Sequence, residues 1–418
     1  MKILVISNLY PPHHIGGYEL YCRRMVEALR AQGHTTHVLT SDHGSSEGCP
    51  GLQRALRIHG LFGHPWLPLP RLLQLERHNN RVLQNAIRDL RPDVVFGWNF
   101  SGLSKSMLLT LGRTGIPTVF CVCDHWIARG SDADVWINWW NRPADSAPHQ
   151  LARRAAELTG LRQNRVLPPS DSMRHIDFRG AYFCSRALRE LTAAALPTFL
   201  TSTSQAETSM ADCKIIHCST DVERFNGLPK PIEAPLQRLL FVGRLHPDKG
   251  PMTALRAMAW LRDKFHGSLS IYGRGEPLYE AELKNYVKSN ALPVTFHEAT
   301  PEEMPAIYAQ HDALLFTSEW AEPFAITPLE AMSSGLPVIS TMTGGSSELF
   351  RHRENAMTFR AGDDGDLALQ VLALERDRAL RARLAATGRK EVRERCAEPV
   401  ILRQTEEHLA ETIRVWKT

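Results

Sequence analysis

Short apolar runs alternate with amphipathic stretches from the first residues of the chain. Ile3–Ile6 is continuously apolar and mostly β-branched, as a strand buried on both faces requires. Tyr18, Tyr21, Cys22, Met25 and Leu29 then recur at helical spacing up to Ala31, and Gly33 stops the pattern. Together they predict a βα unit. Further buried strands are predicted at Val94–Phe96, Thr118–Val122 and Tyr182–Cys184, each entered from Pro, Asp or Gly. The second half is more regular, with strands predicted at Leu239–Val242, Leu269–Tyr272, Val294–Phe296, Ala313–Thr317 and Val338–Ser340. Between them, Met252–Phe265, Leu278–Ser289 and Pro301–Ala309 suit helical crossovers. Continuous apolar strands separated by amphipathic helices imply parallel sheets covered on both faces, and two such sets predict two doubly wound α/β domains.

The boundary is expected in a linker at 221–237, which holds Gly227 and prolines at 229, 231 and 235. One domain is then 1–220 and the other 238–398. Residues 378–418 read as Arg/Glu-rich helix with one breaker, Pro399, after which the last helix, about 400–418, is expected to pack back on the first domain. The least regular part is 125–175, with tryptophans at 126, 136, 139 and 140; it reads as a substrate-covering loop or a disordered insertion.

A length of 418 residues suits two domains, and 43% apolar with 22% charged residues is ordinary globular composition, which excludes disorder and coiled coil. No apolar run approaches a membrane span, and Ile3–Ile6 is too short for a signal-peptide core, so a cytoplasmic protein is expected. The eight cysteines form no C-x-x-C pair and read as buried hydrophobes. A net charge of +4 is too mild to imply nucleic acid, though it suits phosphate-bearing substrates or peripheral contact with an anionic membrane. For such contact the segment Arg71–Arg91 is the candidate, because it mixes five arginines with leucines in the manner of an amphipathic basic helix.

In open parallel sheets ligands sit beyond the carboxyl ends of strands, so the loops there are the places to look. The first, Ser7–Gly17, ends in Gly16-Gly17 just before a helix, where glycine lets the backbone approach a ligand and the helix offers unpaired N–H groups to an anion. The second, Gly243 to Gly250, carries Arg244 and Lys249, a fork and a point charge suited to a diphosphate. The third runs from Glu322 through Phe324, Ala325 and Ile326 to Glu330, two turns into a helix that is expected to start at Thr327-Pro328; from there Glu330 could accept paired hydrogen bonds from a ribose diol. Taken singly, each has an ordinary explanation: a turn, two solvated cations, a solvated helix.

In combination, Gly16-Gly17, the G-R-x-x-x-x-K-G loop, the E-x7-E stretch, Gly335-Leu336-Pro337 and Gly344-Gly345-Ser346-Ser347-Glu348 closely resemble the retaining nucleotide-sugar enzymes of glycosyltransferase family 4. The likeness covers nearly the whole chain and is weakest over about 45–90 and 126–175. It implies the GT-B fold, two Rossmann-like domains facing across a cleft, with the donor, a UDP-sugar such as UDP-glucose, held mainly by the second domain. A glycan or lipid-linked glycan acceptor would be held by the first. By the same resemblance Arg244 and Lys249 would hold the diphosphate, Glu330 the ribose, and Glu322 with the amides of Phe324–Ile326 the transferred sugar. Gly16 and Gly17 would face the phosphates, and Gly273, Arg274, Phe296 and His297 match regions lining the base.

The family's active-site histidine follows a first-domain strand, where this chain has Cys123-Asp124-His125. If the strand continues, period-two alternation puts Cys123 and His125 on one face, which makes His125 the candidate. Ala325 stands where many relatives have glycine and would narrow the sugar pocket. Asp132-Ala133-Asp134 matches a metal-binding D-x-D by spacing, but lacks a preceding buried strand and reads as coincidence. No metal and no cofactor are expected, since cations and helix termini already face the leaving phosphate. The competing readings are a sugar-nucleotide epimerase or hydrolase of the same architecture and a non-catalytic nucleotide-sugar binder. An NAD oxidoreductase is disfavoured because the first loop lacks G-x-G-x-x-G.

Overall fold

The computed structural model describes residues 1–45, 47–60, 67–129, 134–141, 143–144, 146–159, 176–195, 210–226 and 235–416. These fall into two units, Met1–Ile216 with Leu402–Thr418, and His217–Ile401. The division precedes the expected linker because residues after His217 are already tied into the second unit: the Thr220 N–H donates to the Cys396 carbonyl (2.9 Å) and the Glu398 N–H to that of Thr220 (3.1 Å). Residues 227–234 of the proline-rich linker lie outside the described residues.

In the first unit β1 (Lys2–Ile6), β2 (Thr35–Ser41), β3 (Leu52–Leu56), β4 (Val94–Gly97), β5 (Thr118–Val122), β6 (Tyr182–Phe183) and β7 (Lys214–Ile215) form a sheet in the order β3-β2-β1-β4-β5-β6-β7. In the second, β8 (Arg238–Val242), β9 (Ser268–Tyr272), β10 (Val294–His297), β11 (Ala313–Phe316), β12 (Val338–Thr341) and β13 (Met357–Phe359) form the order β10-β9-β8-β11-β12-β13. Every pairing is parallel. The predicted strands are all present, and β2, β3, β7 and β13 are additional. They escaped prediction because they are very short or, like Leu-Gln-Arg-Ala-Leu in β3, interrupted by polar residues toward a sheet edge. Each order reverses once, between β1 and β4 and between β8 and β11, and these switch points are where open α/β sheets leave a crevice for ligands.

Helix α1 (Gly17–Ala31) follows β1, and α2 (Leu69–Leu90) leads toward β4. Next come α3 (Ser106–Thr114), α4 (Val135–Asn141) and α5 (Ala147–Leu158). Of the tryptophan-rich stretch, Val135–Asn141 and Ala147–Leu158 are therefore helical, while 125–129 form a turn. Trp136, Trp139 and Trp140 form a buried cluster with Leu72 and Leu75 of α2. The same packing orients the basic helix: Leu72, Leu75 and Leu83 face inward and serve the protein core, while Arg71, Arg77, Arg81 and Arg88 are exposed.

Beneath α2 lies a buried polar network. The Ser106 hydroxyl donates to Glu76, which is fully buried, and the Asn80 amide donates to Ser106 (2.7 Å). Burial, reinforced by the charge of Asp134, pushes the Glu76 carboxyl up to about 8. The unfolded chain gives up that proton near the ordinary carboxyl value of 4.5, so between 4.5 and about 8 the folded state binds more protons and stability falls as pH rises. Glu76→Gln is expected to remove a few kcal/mol of this slope, so that its melting temperature gains on the wild type from pH 5 to pH 9. Parallel melting curves across that range would show Glu76 already ionised in the fold.

Among the described residues the first unit also holds α6 (Arg186–Ala195) and the end of the last helix. In the second unit α7 (Pro251–Leu261), α8 (Pro277–Ser289), α9 (Met304–Gln310), α10 (Ile326–Ser333), α11 (Asp364–Arg376) and α12 (Arg378–Arg395) flank the sheet. The last helix, α13 (Glu398–Trp416), starts with Pro399 in its first turn, where a missing N–H costs nothing. Its later part bonds within the first unit, where His408 Nε2 donates to the Gly180 carbonyl (3.0 Å).

Candidate active site

The loops after β8 and β11 flank the second switch point and are joined backbone to side chain. The Thr317 hydroxyl lies 2.9 Å from both the Lys249 and Gly250 carbonyls, the Glu319 N–H donates to the Asp248 carbonyl (2.8 Å), and the Ser318 hydroxyl reaches the same carbonyl (3.1 Å). Across this seam Lys249 Nζ meets Glu322 Oε1 at 2.5 Å, with only 19% and 6% of the two side chains exposed. Ser318 Oγ donates to the same Glu322 oxygen (2.6 Å), and the ammonium lies 5.1 Å from the Trp320 ring centre. The backbone of Glu322 is fixed as well. Its carbonyl accepts from the Gly345 N–H (2.7 Å), and at Gly344, with φ +55°, a Cβ would stand 2.3 Å from that carbonyl oxygen. This is what the G-G-S-S-E motif supplies: a backbone close enough to hold Glu322.

Arg244 is different. Its side chain is exposed and makes no ion pair or hydrogen bond among the described residues. Its loop lies directly against the loop after β9, where a Cβ on Gly273 would stand 1.9 Å from the Gly243 carbonyl oxygen and the Leu245 N–H donates to the Arg274 carbonyl (2.8 Å). Arg274 itself is exposed and pairs with Glu298. Phe296 and His297 are adjacent on β10 and point to opposite faces. Phe296 packs against the core, while exposed His297 stacks on Tyr272 at 5.0 Å. Of the two, His297 is the exposed ring.

Helix α10 begins at Ile326, one residue before Thr327, with Ala325 as its extended N-cap (φ −80°) and no side chain capping it. Ala325 therefore sits there without strain, and the first amides of α10 lack intrahelical partners. Phe324 is buried and stacks on His217 at 4.6 Å. Glu330 accepts a hydrogen bond from the Tyr308 hydroxyl (3.0 Å). Burial, and then the Glu330 charge, raise Tyr308 well above its ordinary value, so it stays a donor that orients the carboxylate. Tyr308 was not legible as a site residue, since it reads as one more apolar position of α9.

In the first unit Gly16 and Gly17 open α1, but the Gly16 N–H is taken: buried Glu19 accepts from it (3.1 Å) and from Ile15 (3.3 Å). A carboxylate three residues inside a helix start is a capping signature, and it was readable. The Tyr18 hydroxyl donates to the Cys121 carbonyl and accepts from the Cys123 N–H (3.4 Å), which joins the glycine turn to the end of β5. There β5 stops at Val122, and Asp124 and His125 form a turn in which the His125 N–H donates to Asp124 Oδ1 (2.6 Å). The alternation argument for His125 thus does not apply; the residue is buried in the loop after β5 on other grounds. Arg54 is a residue that sequence reasoning missed. It is buried on β3, and its guanidinium donates to the carbonyls of Tyr10 (3.1 Å) and Pro11 (2.7 Å), which shapes the glycine loop. Asp132 lies outside the described residues. Asp134 has both oxygens bonded to backbone N–H groups, of Lys105 and of Trp136 and Ile137, and serves as a buried cap of α4.

Two doubly wound units, each with ligand-type loops at its switch point, are the components of the GT-B fold. Comparison with known proteins agrees. The "Glycosyl transferase 4-like domain" profile matches residues 16–174 and the "Glycosyl transferases group 1" profile residues 230–391, together well over half the chain. An uncharacterized glycosyltransferase of Methanocaldococcus jannaschii is 27% identical over 415 residues, 97% of each chain. The glycogen synthase of Mycobacterium tuberculosis is 25% identical over 93% of this chain and 90% of its own. Spore coat protein SA of Bacillus subtilis is 33% identical, but over 28% of this chain and 33% of its own length. Among solved structures, sucrose-phosphate synthase of Thermosynechococcus elongatus superposes with a TM-score of 0.68 at 18% identity over 99% of both chains. Anabaena HepE, solved with UDP and glucose, gives 0.66 at 19% identity over 98% of this chain and 100% of its own. The chain belongs to the group 1 glycosyltransferases, in keeping with its resemblance to glycosyltransferase family 4. Among the described residues no helix is long and apolar enough to cross a membrane.

Proposed function

We propose that the protein transfers a sugar from a UDP-sugar, UDP-glucose first among them, to a glycan or lipid-linked glycan in polysaccharide biosynthesis, with retention and without a metal or cofactor. The observation that carries this reading is the joined pair of loops at the second switch point, where exposed Arg244, the Lys249–Glu322 pair and the first amides of α10 gather. The relatives' names, which include glycogen and sucrose-phosphate synthases, and the UDP-bound neighbour support the donor class.

In the reaction the bond between the anomeric carbon and the β-phosphate oxygen breaks, and its electron pair leaves on the phosphate. Arg244, Lys249 and the α10 amides supply fixed positive potential there. The acceptor hydroxyl attacks on the face the phosphate leaves, and its proton passes to the departing phosphate oxygen, giving a glycoside and UDP. Glu322 orients the sugar and holds Lys249; Glu330, aligned by Tyr308, binds the ribose. His125 is the candidate catalytic histidine, and the Gly16-Gly17 turn contributes to binding of the donor phosphates. Peripheral contact with an anionic membrane is made by the exposed arginines of α2.

Calorimetry with UDP, GDP and ADP tests the donor, with UDP expected to bind tightest. Product from an α-linked donor should be α-linked by NMR, and EDTA should leave the rate unchanged. Tighter GDP binding would replace the donor, an inverted product the stereochemistry, and donor consumption indifferent to acceptor would make the enzyme a hydrolase.

A further inference from the structure

The first unit holds a concentration of positive charge that the transfer chemistry does not use. A cavity of about 350 Å³ is lined by Arg57, Pro70, Gln74, Arg77, His78 and Arg81. Arg57 follows the carboxyl end of β3, and the others lie on α2 between Pro70 and Arg81. The arrangement is held from beneath. Asn79, buried on the inner side of α2, accepts from the Arg57 N–H and donates to its carbonyl, both at 2.8 Å. His78 Nε2 donates to the Ala55 carbonyl (2.8 Å), which fixes the ring at the cavity wall.

The three guanidinium groups are exposed and make no hydrogen bond or ion pair among the described residues. No acid balances them nearby in sequence, since the chain has no Asp or Glu between Glu47 and Glu76. Glu76 is itself buried on the opposite side of the helix, bonded to Ser106, and burial keeps its carboxyl protonated at neutral pH. Three like charges around one cavity repel each other unless an anion lies among them. A carboxylate would balance only one of them, whereas a phosphate dianion or a diphosphate offers several oxygens to planar forks.

The cavity also lies at the ligand end of its sheet. Strand β3, which delivers Arg57, is bonded through Arg54 to the carbonyls of Tyr10 and Pro11 in the loop after β1. We propose that the Arg57–Arg77–Arg81 cavity binds a phosphate or diphosphate group carried by the acceptor. This rests on the reading of the first unit as the acceptor-binding one. It deepens that reading by giving the acceptor a charged anchor as well as a sugar.

The test uses the full chain saturated with UDP, so that the donor loops are filled, and titrates it with inorganic pyrophosphate. One binding event is expected beyond UDP, weakened by about tenfold or more in Arg77→Gln/Arg81→Gln, as loss of two charge-assisted contacts implies. Arg88→Gln, an exposed arginine of the same helix outside the cavity, should leave it within about twofold if the effect is local. Equal pyrophosphate affinity in the double variant and the wild type, or an equal loss in Arg88→Gln, overturns the proposal. If UDP does not bind at all, the donor reading fails, and the same comparison without UDP still decides the cavity. Flotation with phosphatidylglycerol vesicles, against phosphatidylcholine, identifies the source. Loss of vesicle binding in the double variant assigns the phosphate to a lipid headgroup; pyrophosphate binding lost while flotation is unchanged assigns it to a soluble acceptor.

Discussion

Arg244→Ala and Lys249→Ala are each expected to lower turnover by roughly 10²–10³-fold, the scale of one lost preorganised charge contact at a leaving group. Their effects on stability should differ. Arg244 is exposed and holds nothing in place, so its variant should melt with the wild type. Lys249 is the partner of a carboxylate that is 6% exposed, and removing it leaves that charge stranded, at a cost of about 3–5 kcal/mol. The Lys249→Ala/Glu322→Ala double variant should recover part of that loss, because the two groups act as one. Turnover within about threefold of wild type in folded Arg244→Ala would take Arg244 out of the site, and additive melting shifts would mean that the pair does not form.

The second large effect separates the two acids. Glu330→Gln is expected to weaken UDP binding by about 1.5–3 kcal/mol, the range for hydrogen bonds to a charged group. Tyr308→Phe should follow in the same direction by a smaller step, since it only aligns that carboxylate. Glu322→Gln should depress turnover while UDP binds as well as before or more tightly, because Lys249 then presents its charge without a counter-ion. Calorimetry on the three variants reads this directly, and equal weakening of UDP by both glutamine substitutions would reverse the assigned roles.

Much of the candidate site was legible because its motifs are local. The Arg244 to Lys249 loop, the run from Glu322 to Glu330 and the glycines after β12 each lie within about ten residues, and each follows a strand that periodicity marks. The Gly16 N–H was misjudged although its signal was present, in Glu19 three residues on. His125 was argued from a strand that stops three residues short, and a strand end depends on the neighbouring strand's hydrogen bonds, which no pattern within β5 records. Phe296 looked equivalent to His297 until the alternation of β10 set one inward and the other outward.

Apolar periodicity and Gly/Pro punctuation determined by themselves that the chain builds two doubly wound α/β units, because those signals act over one strand or one helical turn. The charge pattern likewise marked the loops that carry the candidate residues Arg244, Lys249, Glu322 and Glu330. Tertiary structure alone decided which charges meet. Lys249 and Glu322 are 73 residues apart and touch because β11 lies beside β8, an order set by how crossovers pack helices on the sheet. The same holds for Tyr308 beneath Glu330 and for Arg57, just after β3, with Arg77 and Arg81 of α2 around one cavity. Side chains brought together by neighbouring strands and packed helices leave no spacing in the sequence from which their contact could be read.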